Sequence, residues 1–213
     1  MNNRNYKKLI DSIGSFNPPE IDFTLMAKYR AVISDSAYFD FIVETQNGGF
    51  FFDQAVHMYG YSSAIEFHDI DYVNKLLKEE YGNIAAGLLA FGQEAFGNQY
   101  VFDLSTKKIS LFNTESGEIE VIATNFEEWV DAIVSDQNYL TGVKVVQAWR
   151  SDNELGFNQR LCPKVPFVIG GEFKVDNLYA GTFPAYLRAY ANIARQIYDL
   201  PDGTPISIKI INR

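Results

Sequence analysis

"GLLAFGQEAFGNQYVFDLSTKKISLFNTESGEIEVIATNFEEWVDAIV", residues 87–134, holds four short apolar runs and then a change of period. The runs are "GLLAFGQE", "NQYVFDL", "KISLFNT" and "EIEVIAT". "AFGN", "STKK" and "ESGE" separate them, with the small and polar residues that turns require. Strands joined by loops this short are antiparallel, because a parallel pair needs a long crossover. Residues 87–124 therefore read as a β-meander. After Thr124 the spacing becomes helical: Phe126, Trp129, Val130 and Ile133 fall at i, i+3, i+4 and i+7. Thr124 with Glu127 is read as the capping box that starts this helix.

Working toward the N-terminus, residues 71–81 read as a helix on the stripe Val73, Leu76 and Leu77, with Asp71 as N-cap and Gly82 as stop. Further back, "ETQNGGFFFDQ", residues 44–54, contains a glycine doublet. A phosphate-binding glycine turn follows a strand and opens a helix, so that helix N–H groups face the anion. Here the order is reversed. A helix capped by Asp35 or Ser36, with Tyr38, Phe39, Ile42 and Val43 on its inner face, precedes the doublet, and "GFFFDQAVHMYGY" follows as one strand. Asn47 or Gly48 is expected in a left-handed helix-stop conformation. Two further helices are expected at 6–13 and 23–33, parted by the prolines of "NPPE".

Toward the C-terminus, residues 135–161 are polar and weakly patterned, with room for a small helix at 143–149. "KVPFVIGG" reads as a short apolar strand. "TFPAYLRAYANIARQIYDL" reads as a helix capped by Thr182, with Leu187, Tyr190, Ala194 and Ile197 inward, and "TPISIKIINR" as a final strand. No repeat or low-complexity linker intervenes. The expected fold is α+β: a single domain over residues 1–213, a mostly antiparallel sheet packed by helices, with 162–213 as a strand-helix-strand extension.

Composition narrows function. The chain has 213 residues, 17 Phe and 13 Tyr, and a net charge of -9. That charge disfavours nucleic acid and anionic membrane as partners, which require a basic stripe. No apolar run reaches membrane-spanning length, and the opening "MNNRNYKKLID" lacks the apolar core of a secretory signal. One cysteine, Cys162, allows no internal disulfide, so cytoplasmic residence is the expectation. His57 and His68 supply no metal-ligand spacing; they read as a strand histidine and a solvated loop histidine. Cys162 reads as an inert buried thiol. No catalytic, cofactor or metal motif is found.

One polar feature stands out. Between positions 115 and 136 lie Glu115, Glu118, Glu120, Glu127, Glu128, Asp131 and Asp136, with no Lys or Arg. Such a run is either a solvated face or an acidic docking patch for a basic protein.

The 87–134 stretch resembles the central signature of the SUKH superfamily, which includes bacterial toxin-immunity proteins and relatives of fungal cell-wall regulators. "YFDFIVETQNGGFF" is similar to the family's first helix ending in "NGG". "CPKVPFVIGGEFKVDNLY" is similar to the branch containing immunity proteins of type VI secretion effectors, where an apolar strand precedes the last helix. The "PDGTPISIKI" ending is an addition to the family pattern. The resemblance implies a non-catalytic protein that binds and neutralises a cognate toxin, a basic one given the charge. A ligand-binding or enzymatic domain with an aromatic pocket, and a regulatory scaffold, are the alternatives. The oligomeric state is left open.

Overall fold

The computed structural model of the protein describes residues 4–201 and 203–205. The final strand expected at 204–213 lies, apart from its first two residues, outside them. In chain order the helices are α1 (Arg4–Asp11), α2 (Phe23–Arg30), α3 (Ser36–Glu44), α4 (Ile70–Tyr81), α5 (Phe126–Ser135), α6 (Gln137–Thr141), α7 (Val143–Arg150) and α8 (Ala185–Ile197). The strands are β1 (Gly49–Phe51), β2 (Val56–Met58), β3 (Leu88–Glu94), β4 (Gln99–Asp103), β5 (Lys108–Phe112), β6 (Ile119–Ala123), β7 (Gln159–Pro163) and β8 (Leu178–Thr182). Strands β1 to β6 form one antiparallel sheet in sequence order, and β7 pairs with β8 separately. This is the expected α+β fold.

The four expected strands of 87–124 are β3 to β6. Alternation along β4 sends Tyr100 and Phe102 to one face and Val101 to the other, as the pleat dictates. On the first face α5 lays Trp129 against Tyr100 and Phe91, with ring centroids 5.0 and 5.3 Å apart. Trp129, Phe126 and Ile133 are fully buried, as their spacing predicts. On the other face Phe112 meets Tyr81 of α4 at 5.1 Å.

Several expectations are corrected. The N-cap of α5 is Asn125, not Thr124: Asn125 Oδ1 accepts from Glu128 N, and the Glu128 carboxylate reaches back to Thr124 N and Oγ1. The box closes one residue later than read, so Glu128 rather than Glu127 completes it. Asp69, not Asp71, caps α4, accepting from Asp71 N. Asp35 is the cap of α3. Val43 is 46% exposed and Phe41 takes the inner place assigned to it.

The strand expected over 49–61 is a hairpin. Phe52, Asp53 and Gln54 all take positive φ (50°, 56° and 75°) and reverse the chain between β1 and β2. This unusual run of non-glycine residues is held from outside: Gln147 Nε2 donates to Asp53 Oδ2, and Arg150 Nη1 to Asp53 O.

"KVPFVIGG" is not a strand. Pro166 removes a ladder donor in its middle. The segment folds as a loop with a 3₁₀ turn at Phe167–Ile169, clasped by Asn177, whose side chain bonds Val165 N and O. The pairing shifts to β7 and β8. Thr182 consequently belongs to β8, and α8 starts after Pro184 without a side-chain cap. Leu187, Tyr190 and Ala194 are buried as expected, whereas Ile197 is half-buried.

The glycine doublet ends α3, with one refinement. Gln46 N bonds Val43 O and Asn47 N bonds Ile42 O, the paired bonds of a Schellman stop. The left-handed stop residue is therefore Gln46 (φ 55°), not Asn47 or Gly48, although both of these also have positive φ. Gly48 N–H is taken by Thr45 Oγ1 at 3.0 Å and Gly49 pairs with Met58, so these amides already have internal roles.

Candidate binding surface

The seven acids do not form one patch. Glu115 is buried: its Oε2 accepts from Val168 N at 3.2 Å, and burial raises its pKa. It anchors the 167–168 turn and drops out of the exposed set. Asp131 is half-buried and accepts from Asn5 Nδ2 of α1 at 2.9 Å. Glu118, Glu120, Glu127, Glu128 and Asp136 are exposed. None of these five is in an ion pair with Lys or Arg among the described residues.

These five flank β6. Glu118 and Glu120 lie at its start. Glu120 shares a face with Leu111 and accepts from Tyr139 Oη at 2.9 Å. That bond, together with the charges of Glu120 and Asp136, raises the Tyr139 pKa, which puts Asp136 in the same group. Glu127 and Glu128 lie past the other end, on the first turn of α5, where the helix dipole favours them. Hydrogen bonds from Thr124 lower the Glu128 pKa. Glu127 lines a cleft of about 550 Å³ with Asp35, Asp103 and Lys107. Among the described strands, the one between the two groups is an edge bonded only to β5, with Ile119 and Val121 44% and 53% exposed.

A second feature adjoins this edge and was missed from sequence. A groove of about 810 Å³ runs from the start of β6 to α6 and the 170s loop, bordered by Glu94, Glu118, Glu120, Tyr139, Phe173 and Tyr198 among others. Exposed aromatics in polar segments were its one available signal, and nothing local says that residues 94, 139 and 173 converge.

The histidines are placed differently from expectation. Both are fully buried, so His68 is no solvated loop residue. His68 Nε2 meets Asn47 O at 2.8 Å, and a carbonyl only accepts, so this nitrogen carries a proton. His68 Nδ1 then accepts from His57 Nε2 at 2.9 Å, and His57 Nδ1 accepts from Gln93 Nε2 at 3.2 Å. The chain fixes both tautomers as neutral. Burial lowers both pKa values, that of His68 to about 4. The pair braces the α3–β1 corner. Cys162 is buried, its thiol pushed up to about 11 by burial, which keeps it a poor nucleophile. Among the described residues, no group of three or more His, Cys, Asp or Glu is placed to hold a metal, and no helix is long and apolar enough to cross a membrane.

Residues 28–132 match the model of the SMI1 / KNR4 family (SUKH-1). No curated protein matches the chain. Among solved structures, the crystal structure of Atu4351 from Agrobacterium tumefaciens is similar, with a TM-score of 0.55 over 82% of each chain at 17% identity. A likeness at that identity is one of fold. The family match spans α2 to α5, the part that carries the glycine stop, the meander and the Trp129 helix. Through this region the chain belongs to the SUKH superfamily.

Proposed function

We propose that this protein is a non-catalytic, cytoplasmic immunity protein that neutralises a basic bacterial toxin by direct contact along the β6 edge and the start of α5. The family supports the immunity theme. The observation that carries the reading is the exposure of Glu118, Glu120, Glu127, Glu128 and Asp136 beside an open strand, with no cation among the described residues pairing them. Charge of this kind accelerates encounter, while a few desolvated anchors hold the complex. The test is co-purification with the product of the adjacent upstream gene, followed by protection of cells expressing that product. Binding with protection supports the reading. Turnover of a small molecule by the purified protein, with no such partner, overturns it in favour of an enzymatic domain.

A further inference from the structure

We infer that the groove at the start of β6 is an anchor site for an arginine side chain of the protein partner. The inference rests on the immunity reading and specifies how contact is made.

The walls are aromatic and built in advance. Phe167 and Phe173 stack with centroids 3.9 Å apart and planes within 10°, and Phe96 meets both edge-on at 5.5 and 5.3 Å. The buried Glu115 carboxylate fixes this loop through Val168 N. Tyr139 and Tyr198, 64% and 48% exposed, present open surface from the other sides. The floor is Glu94, only 3% exposed, whose two carboxylate oxygens accept from Phe96 N at 3.0 Å and Asn98 N at 2.9 Å. Glu118 and Glu120 form the rim. Among the described residues, no Lys or Arg lines the groove.

Aromatic faces, the rim carboxylates of Glu118 and Glu120 and, among the described residues, a lining without Lys or Arg complement a planar guanidinium. It can stack on rings and donate in its plane to carboxylates, which an ammonium does less well. The rim acids act on a cation directly. Burial holds the Glu94 carboxyl up at about 8 despite the nearby Arg160, so a cation above it would favour its ionisation. Tyr100 and Tyr186 are the other titratable groups that feel Glu94, and burial keeps both protonated. A second copy of this chain is a poor occupant, since its β6 edge carries the same acids.

The test titrates N-acetyl-arginine-methylamide, and its uncharged isostere N-acetyl-citrulline-methylamide, into the ¹⁵N-labelled protein. The inference expects saturable amide shifts at Gly117, Glu118 and Tyr139 with the arginine probe. It expects binding at least about tenfold weaker for citrulline, the scale of one charged contact. Phe173→Ala and the double change Glu118→Gln, Glu120→Gln are both at exposed positions and leave the fold intact; each should weaken the arginine probe by a similar factor. Equal shifts for the two probes, or none at the groove, would overturn it. With a cognate toxin in hand, undiminished affinity of Phe173→Ala would also sink the groove while leaving the immunity reading standing. Absence of toxin binding by the parent protein would instead strike that reading alone, if the arginine probe still binds.

Discussion

At the β1 edge of the six-stranded sheet, residues 12–14 lie alongside the outer strand: Gly14 N donates to Phe50 O, Phe52 N to Ser12 O, and Ile13 bridges Phe51. Phe50 and Phe51 are fully buried. Polar side chains there are also buried and satisfied by one another, from Gln93 through His57 and His68 to Asn47, whose own amide bonds Tyr61 N and Pro19 O. At the β6 edge nothing among the described strands covers the backbone, two β-branched residues face solvent, and Glu118, Glu120, Glu127, Glu128 and Asp136 pair with no cation among the described residues. Open edges invite pairing with other chains, and clustered like charge keeps copies of one chain apart. Polar groups therefore serve structure at the first edge and remain available for recognition at the second.

That contrast can be broken in the interior first. Trp129 stands between the two edges, against Phe91 and Tyr100, so Trp129→Ala should cost about 3–5 kcal/mol in denaturant unfolding. A cost near that of a surface change, about 0.5 kcal/mol, would contradict its placement.

The covered edge should respond to pH. His68 has its ordinary value of 6.5 when unfolded and about 4 when folded. As pH falls below 6.5 the unfolded chain takes up a proton that the folded chain refuses until about 4. Stability thus falls with acidification across that window, by about 3 kcal/mol from this group. His57 is shifted in the same direction. Comparing urea unfolding at pH 7 and pH 5, His68→Gln should lose less stability on acidification than the parent. Parallel losses would show that the histidines are not buried neutral.

Next comes the glycine stop. Gly48 has φ 80°, and a Cβ there would lie 2.7 Å from Met58 O. Gly48→Ala should cost at least about 2 kcal/mol, the left-handed penalty plus a displaced strand. A neutral effect would mean that the turn relaxes freely.

How these regions read from sequence follows the same physics. The meander and α5 were legible because period, turns and apolar spacing are local signals. The hairpin at 49–58 was not, since Asp53 is held by Gln147 and Arg150, 94 and 97 residues away in sequence. The β7–β8 pair was missed for a related reason. The pairing joins residues as far apart in sequence as Gln159 and Thr182, and the more apolar "KVPFVIGG" between the two strands outweighs them in local signal despite Pro163 before it and Pro166 within it. Among the acids, type and run were visible, but burial was not: Glu115 turned inward because the 167–168 turn needs an acceptor. Asp131 and Glu128 carry structural bonds to Asn5 and Thr124. A charge-reversal test therefore belongs on Glu118, Glu120 and Glu127, which cap no helix.

At the open edge, changing those three to Lys should move stability least, by about 0.5 kcal/mol or less per site. Its effect should appear in association instead. The decisive measurement is the association rate of parent and triple-reversal proteins with the cognate toxin across a range of ionic strength. The account predicts that reversal slows association by about tenfold or more at low salt, that the two proteins converge as salt screens the charge, and that dissociation changes much less. Equal rates and equal salt slopes, with undiminished protection of cells, would contradict it and leave the β6 acids as a solvated face.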